Sequence, residues 1–360
     1  MAIITRKIEV YVDCVDKDEK KAHYDTLFSW NRITHKAANI LSSHLFTQDS
    51  IKDMLYLDEG IKVKLADKAK DEEGILNTSY QNSGYRLLSG MFKGQIPMDI
   101  ISQLNNNIQK TYKEEKTEYF TGKRSLRSYR ENVPMPFSSR LVSFVECGKN
   151  YIFSFYKIPF KTTMGADLSG NFIIIDRINA GEYKFCNSSL KYDSKKKKWF
   201  LLLCVDIPNT RLQAKKGVIV EANLGISTPI VAEYGKQIHH IGNDHEYLYQ
   251  RLRIQAKLTD LQKSLRYANG GNGRKGKLQA IDRFHKKEKN YITTKLHTYS
   301  RILVNYAIKL KAESIVLKNQ GSKEVEIKES EFLLRNWGYY GLKEMIAYKC
   351  NRVGINLIIE

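Results

Sequence analysis

VIVEANLGISTPIVAEYG, residues 218–235, reads as two strands joined by a short turn. An apolar run climbs to Leu224, Gly225 and Ile226 allow a bend, and a second run starts at Pro229. On the first strand Glu221 and Asn223 are two residues apart. They therefore share one face, about 6–7 Å from each other along the strand.

Outward from this hairpin the pattern is regular. KQIHHIG adds a third strand, on which the adjacent His239 and His240 point to opposite faces and make a poor metal pair. A long helix follows, with Leu248, Leu252, Leu258, Leu261 and Leu265 along one side. YANGGNGRKGK reads as a glycine-rich loop, and LQAIDRFHKKEKNYITTKLHTYSRILVNYAIKL as a second long helix. Asp244 and Asp260 read as surface carboxylates at a helix start and on a helix face. AESIVLKNQG is a buried strand, and the chain then gives one more helix and a last strand. Three strands, helix, strand, helix, strand is the RNase H-like layout.

The preceding half falls into three stretches. Residues 3–15 alternate as a strand, with Ile8, Val10 and Val12 on one face. Residues from about 21 to 118 are helical: Leu27, Trp30, Ile33, Ala37 and Ile40/Leu41 recur at three and four, and a second helix runs from Met98 to just before Gly122. Residues 123–210 read as β, in short runs such as YIFSFYKIPF, NFIIIDRI, YKFCNSSLKYD and KWFLLLCVDIP. The lysine run at 195–198 marks a solvated hairpin tip.

Bulk composition narrows the function classes. The chain has 360 residues, 42% hydrophobic and 27% charged, which suits several globular domains rather than disorder. No apolar run reaches membrane-spanning length, and MAIITRKIEVYVDC lacks a signal-peptide core. The five cysteines (Cys14, Cys147, Cys186, Cys204, Cys350) form no Cys-x-x-Cys pair, so neither a disulfide framework nor zinc is expected, and a reducing cytoplasm fits. The formal net charge of +20 calls for a polyanion partner, because each phosphate neutralised by Lys or Arg releases condensed counterions. Twenty-two tyrosines and three tryptophans add faces on which bases stack.

Three blocks in the C-terminal half carry a family resemblance: IVEANLGISTPIVA, SIVLKNQ and NWGYYGLKEMIAYKCNRVGINL. In order, they resemble the RuvC-type nuclease domain of TnpB, the transposon-encoded ancestor of miniature type V CRISPR effectors. GKRSLRSYRENVPMPF, residues 122–137, resembles the start of the wedge domain of these effectors. The implied fold is a multidomain α/β chain with four parts. Residues 1–20 give the first wedge strand, 21–120 an inserted helical recognition domain, and 121–212 the wedge β-barrel. Residues 213–360 give a RuvC-like domain, truncated and without its zinc module.

The resemblance assigns the first two nuclease carboxylates to Asn223 and Lys318. A RuvC site holds two magnesium ions roughly 3.5–4 Å apart and needs several converging carboxylates. A neutral amide balances no divalent cation, and an ammonium repels one. In the family the third carboxylate lies beyond a zinc module, and the sequence given stops at Glu360. Glu221 shares the face of Asn223, yet a lone carboxylate does not hold two metals. The expectation is a degenerate nuclease with no metal site and no catalytic residue, closest to the nuclease-dead repressor branch called TldR.

Its expected partners are a guide RNA and double-stranded DNA carrying a short flanking motif, in a bacterial cytoplasm and on the nucleoid when DNA-bound. An endonuclease with a rearranged site and a protein that only sequesters RNA are the alternatives. For nucleic-acid contacts the candidates fall into three groups. Lys123, Arg124, Arg127, Tyr129 and Arg130 form a possible clamp at the wedge. Tyr80, Gln81 and Asn82 are of types that read base edges, although Tyr80 or Tyr85 would serve equally as core. Lys275 and Lys277 in the glycine loop, with Lys286, Lys287 and Lys289 on the next helix, suit phosphates of an RNA–DNA duplex.

Overall fold

A computed structural model describes residues 2–55, 79–164, 170–208, 214–225, 228–243, 246, 249–267, 271–319 and 338–360. The chain is mixed α/β and divides into two units, Ile3–Ile207 and Pro208–Glu360, the latter joined by the first two residues.

The first unit opens with β1 (Ala2–Val12), α1 (Lys17–Leu55), α2 (Tyr80–Phe92) and α3 (Met98–Phe120). On β1 the alternation predicted from sequence holds: Ile8, Val10 and Val12 are buried. On α1, Ala37, Leu41 and Leu45 recur every four residues and are fully buried. Ser79 caps α2 by accepting from the Asn82 amide. Gly84 lets α2 approach its neighbours, since a Cβ there would lie 2.6 Å from Leu41 and 2.7 Å from Asn105. Along α3, Leu104, Ile108, Tyr112, Glu115 and Tyr119 form the buried stripe, and Gly122 follows the helix at φ +71°.

The rest of this unit is β2 (Met135–Phe137), β3 (Val145–Cys147), β4 (Asn150–Phe155), β5 (Ile158–Thr163), α4 (Asn171–Asn179), β6 (Lys184–Phe185), β7 (Ser188–Asp193) and β8 (Lys198–Ile207). The sheet runs β2-β7-β8-β1-β5-β4-β3, with β6 also on β8. The expected barrel is not found: among the described residues β2 and β3 remain at opposite ends of an open path. Both are only three residues long and offer little ladder on which to close. Helices cover the sheet instead, for Leu27, Leu41 and Leu104 share one core with Phe137, Phe155 and Phe160.

NFIIIDRI, expected as a strand, is helix α4. A short isoleucine run suits a buried strand or a buried helix turn equally, and here the consecutive Ile174 and Ile175 are both buried.

The second unit contains β9 (Lys215–Leu224), β10 (Ile230–Tyr234), β11 (Gln237–Ile241), α5 (Gln250–Arg266), α6 (Gly271–Lys309), β12 (Ala312–Leu317), α7 (Tyr339–Val353) and β13 (Asn356–Ile359). Its sheet order is β11-β10-β9-β12-β13. The first three strands are antiparallel, and β9, β12 and β13 are parallel. Gly242 ends β11 against α6; a Cβ there would lie 2.8 Å from the Tyr299 ring.

Two expectations change in this unit. The glycine-rich stretch is helical from Gly271, so Lys277 lies on α6 rather than in a loop. The buried side of α5 is Arg251, Ile254 and Leu258, while Leu252 is exposed. Leu248 and Asp244 lie outside the described residues.

Candidate nuclease face and nucleic-acid surface

Strand β9 alternates strictly. Val220, Ala222 and Leu224 are buried in a core with Leu303 of α6 and Ile346 of α7. Glu221 and Asn223 therefore occupy the other face of the sheet. In register with them on β10 stand Glu233 and Val231. On the parallel side Val316 pairs with Glu221 and Leu317 with Ala222. Lys318 continues the ladder by one bond, its amide donating to the Ala222 carbonyl at 3.0 Å.

This register decides where the Lys318 side chain goes. Its ammonium donates to Glu221 Oε2 at 2.5 Å, across 97 positions of sequence. Both side chains remain about two-fifths exposed, at 42% and 41%. The hydrogen bond to Glu221 raises the lysine pKa above its ordinary value, and the charges of Glu360 and Glu233 act in the same direction. Asn223 Oδ1 is buried and accepts no hydrogen bond.

The two positions assigned to nuclease carboxylates thus hold an amide and an ammonium, and the ammonium has taken the nearest carboxylate as its partner. Among the described residues no three His, Cys, Asp or Glu side chains converge as metal ligands. An ammonium repels a divalent cation, and a neutral amide brings no charge to balance one.

His239 and His240 alternate across β11, as expected, and His239 stacks on Tyr306 at 5.2 Å. Asp260 is exposed on α5.

In the first unit the candidate contacts are tied to a buried acid network. Asp49, only 2% exposed on α1, accepts from the Tyr80 and Tyr112 hydroxyls and lies 2.9 Å from the Lys116 ammonium. The Lys52 and Lys113 ammonium groups lie 5.3 and 5.7 Å from the centre of the Tyr80 ring. Tyr80 is thereby anchored into the helical core, whereas Gln81 and Asn82 are exposed on the first turn of α2.

The segment after α3 folds back onto that helix. Arg127 donates twice to Glu115, with Nε at 2.9 Å from Oε2 and Nη2 on Oε1. Arg124 lies 2.8 Å from Glu115 and 3.3 Å from Glu118. Tyr119 also donates to Glu115. The Arg127 hydrogen bonds lead in holding the Glu115 carboxyl down at about 2. Asn39 accepts from the Tyr129 amide at 2.8 Å and donates to its carbonyl at 3.0 Å. Lys123 and Arg130 are left exposed.

On α6, Lys286, Lys287 and Lys289 are exposed, while Lys277 donates to the Ser264 carbonyl at 2.9 Å. The side chain of Lys275 lies outside the described residues. Sequence reading missed Asp49 and Glu115. Glu115 carried a signal, since it stands four residues before Tyr119 on the buried stripe of an otherwise polar helix.

No protein-family model matches the chain. A CRISPR-associated endodeoxyribonuclease Cas12f1 from Sulfoacidibacillus thermotolerans is 26% identical over 314 residues, covering 81% of this chain and 71% of that protein. In a cryo-EM structure of a Cas12f1–sgRNA–target DNA complex, one chain matches the fold with a TM-score of 0.66 at 18% identity, covering 94% of this chain and 75% of the other. A CRISPR–Cas12f ternary complex gives a TM-score of 0.42, too low to argue from. The chain is thus similar in sequence to one Cas12f1 and has the fold of another.

Proposed function

We propose that this protein is an RNA-guided DNA-binding protein that does not cut, and that it represses transcription by residing on a promoter matched by its guide. The observation that carries the reading is the Lys318–Glu221 ion pair beside Asn223, on the sheet face where the resemblance puts the metal-binding acids. The net charge of +20 supplies phosphate affinity. The similar Cas12f1 is described in complex with sgRNA and target DNA, which supports the same two partners here. In this reading, guide pairing supplies sequence specificity and a short flanking motif nucleates duplex opening. With no cleavage step to follow, occupancy of the promoter is the output.

A second reading, an RNA-guided endonuclease with a rearranged site, draws on two observations. The relative in sequence is named an endodeoxyribonuclease, and Glu221, Glu233 and Glu360 all act on Lys318. One experiment separates the two. The protein is purified with its co-purifying RNA, the RNA is sequenced, and matched duplex DNA is incubated with the complex in Mg²⁺ or Mn²⁺. Stable binding without nicking, together with repression of a reporter bearing the matched promoter, is expected. Guide-dependent nicking would establish the second reading. A stable RNA complex that leaves the reporter unchanged would instead indicate RNA sequestration.

A further inference from the structure

Strands β6 and β8 are antiparallel, with Lys184 opposite Asp206 and Phe185 opposite Val205. The Cys186 amide donates to the Cys204 carbonyl at 2.9 Å, which carries this register one residue further and sets the two cysteines opposite each other. Opposed residues of an antiparallel pair send their side chains to the same face, with Cα atoms about 5.5 Å apart where the pair is hydrogen-bonded. Disulfides span roughly 4.4–6.8 Å between Cα atoms. The other three cysteines lack this arrangement: Cys147 faces Asn150, Cys14 donates to the Glu19 carboxylate at 3.0 Å, and Cys350 is buried on α7.

Both thiols are partly exposed and weakly held. Cys186 Sγ donates to the Lys184 carbonyl at 3.7 Å, and Cys204 Sγ lies 3.3 Å from the Thr5 hydroxyl. A rotation about χ1 on each, from one staggered well to another, turns the sulfurs towards each other. Between the β6–β8 and β7–β8 registers the chain carries one extra residue, a bulge. There the Ser188 hydroxyl donates to the Cys186 carbonyl and accepts from the Cys204 amide, each at 2.9 Å, in place of the second direct backbone bond of the pair. Opposed Cβ atoms lie about 4.5–5.5 Å apart, wider than the roughly 3.5–4.5 Å of a relaxed disulfide. A disulfide here is therefore stretched, and is readily reduced again by small thiols.

We propose that Cys186 and Cys204 form a reversible redox site, which a small-molecule disulfide such as oxidised glutathione closes into an intrachain disulfide. One protein thiolate attacks a sulfur of oxidised glutathione, forming a mixed disulfide and releasing one glutathione thiol. The second protein thiolate attacks the cysteine sulfur of that mixed disulfide and expels the second glutathione. The protein pair loses two electrons and two protons, and oxidised glutathione takes up both to become two thiols. Burial pushes the Cys186 thiol up, and the charges of Asp206 and Cys204 act in the same direction, so the exchange runs faster in mildly alkaline solution. Asn187 donates to Gln103 of α3 at 2.8 Å and accepts from the Ser139 amide at 3.3 Å. A bond at Cys186 therefore stiffens the corner where α3 meets the sheet. The site does not depend on the RNA-guided reading.

The test uses the full-length protein, fully reduced and then incubated with oxidised glutathione at mildly alkaline pH. Remaining thiols are blocked with N-ethylmaleimide, and the protein is digested with trypsin without reduction. Mass spectrometry should find the peptide Phe185–Lys191 joined to Trp199–Arg211, and dithiothreitol should separate them. In Cys186→Ser and in Cys204→Ser the joined peptide should be lost, and the remaining cysteine should carry glutathione instead. Wild-type peptides recovered separately, with both cysteines blocked or each carrying its own glutathione, would overturn the proposal. A disulfide joining either cysteine to Cys14 or Cys147 would overturn it as well.

Discussion

Two carboxylate–cation pairs, one in each unit, show how depth changes what a charge does. Glu115 is buried, receives Arg127 in a two-point hydrogen bond, and is shared with Arg124 and Tyr119. Glu221 is two-fifths exposed and meets a single point charge, Lys318. The first arrangement satisfies most of the lone pairs of a desolvated acid and pins residues 124–127 to α3. The second is a surface contact, weakened by water and screened by salt. The buried pair therefore belongs to the architecture. The exposed pair belongs to a face whose side chains are free to differ without cost to the fold.

The sharpest way to break this comparison is Glu115→Ala. It strands Arg127 and the Tyr119 hydroxyl, and should destabilise the protein by roughly 2–3 kcal/mol, below the usual cost of breaking a fully buried pair because the arginines are partly hydrated. Urea unfolding measures it. The same group sets an acid limit. Its pKa is depressed, so its contribution is complete above the unfolded value near 4.5 and is lost as pH falls towards about 2. Melting curves between pH 5 and about 2 should therefore flatten in Glu115→Gln relative to the wild type.

Next in size is an effect on binding rather than folding. Lys286, Lys287 and Lys289 are exposed on α6 and hold no acid network together. If all three contact phosphates, replacing them with alanine should reduce the salt dependence of duplex binding by about 0.9 log units per contact for each tenfold rise in salt. An unchanged slope would assign the phosphate contacts to other lysines. The melting temperature should stay near that of the wild type.

A buried cation with only neutral partners sharpens the comparison further. Lys349 is 4% exposed and donates to the His297 carbonyl at 2.5 Å and to Ser300 Oγ at 2.7 Å. Burial, helped by the charge of Arg301, lowers its pKa to about 8. A lysine with a depressed folded pKa binds fewer protons folded than unfolded, so stability should rise between about pH 8 and its unfolded value near 10.5. Lys349→Met should remove that rise and, at neutral pH, stabilise the fold by about 1 kcal/mol.

What the sequence disclosed follows the range of the interactions. The alternation of Val220, Ala222 and Leu224 and the four-residue spacing on α1 are local, so β9 and α1 were readable from pattern alone. Lys318 was visible at the end of its strand, but its partner Glu221 depends on a parallel register between strands 97 positions apart. The pairing of Arg124 and Arg127 with Glu115 was hidden, because it follows from the chain turning at Gly122 back onto α3, and no local period encodes that reversal. The missing barrel has the same cause. Strand runs were visible, whereas the helices that cover the sheet are a tertiary fact. The isoleucine run of α4 failed for the opposite reason: it is too short for period two and period 3.6 to differ.

The smallest effect on folding should come from the exposed pair, and it carries the functional contrast. Lys318→Gln removes a contact that water and counterions largely replace, so the melting temperature should stay near that of the wild type. What should change is the response to divalent cations. In the wild type the ammonium sits on Glu221, with Glu233 and Glu360 also acting on it, and a divalent ion approaching these acids meets a fixed positive charge. Changing Lys318→Glu together with Asn223→Asp removes that charge and supplies two carboxylates beside Glu221. Calorimetric titration with Mn²⁺ should then show binding in the double variant and none in the wild type, with a matching rise in melting temperature. Equal Mn²⁺ binding by both proteins would mean that Lys318 does not exclude metal from this face. The reading of the face as a binding surface without a cutting centre would then have to be given up.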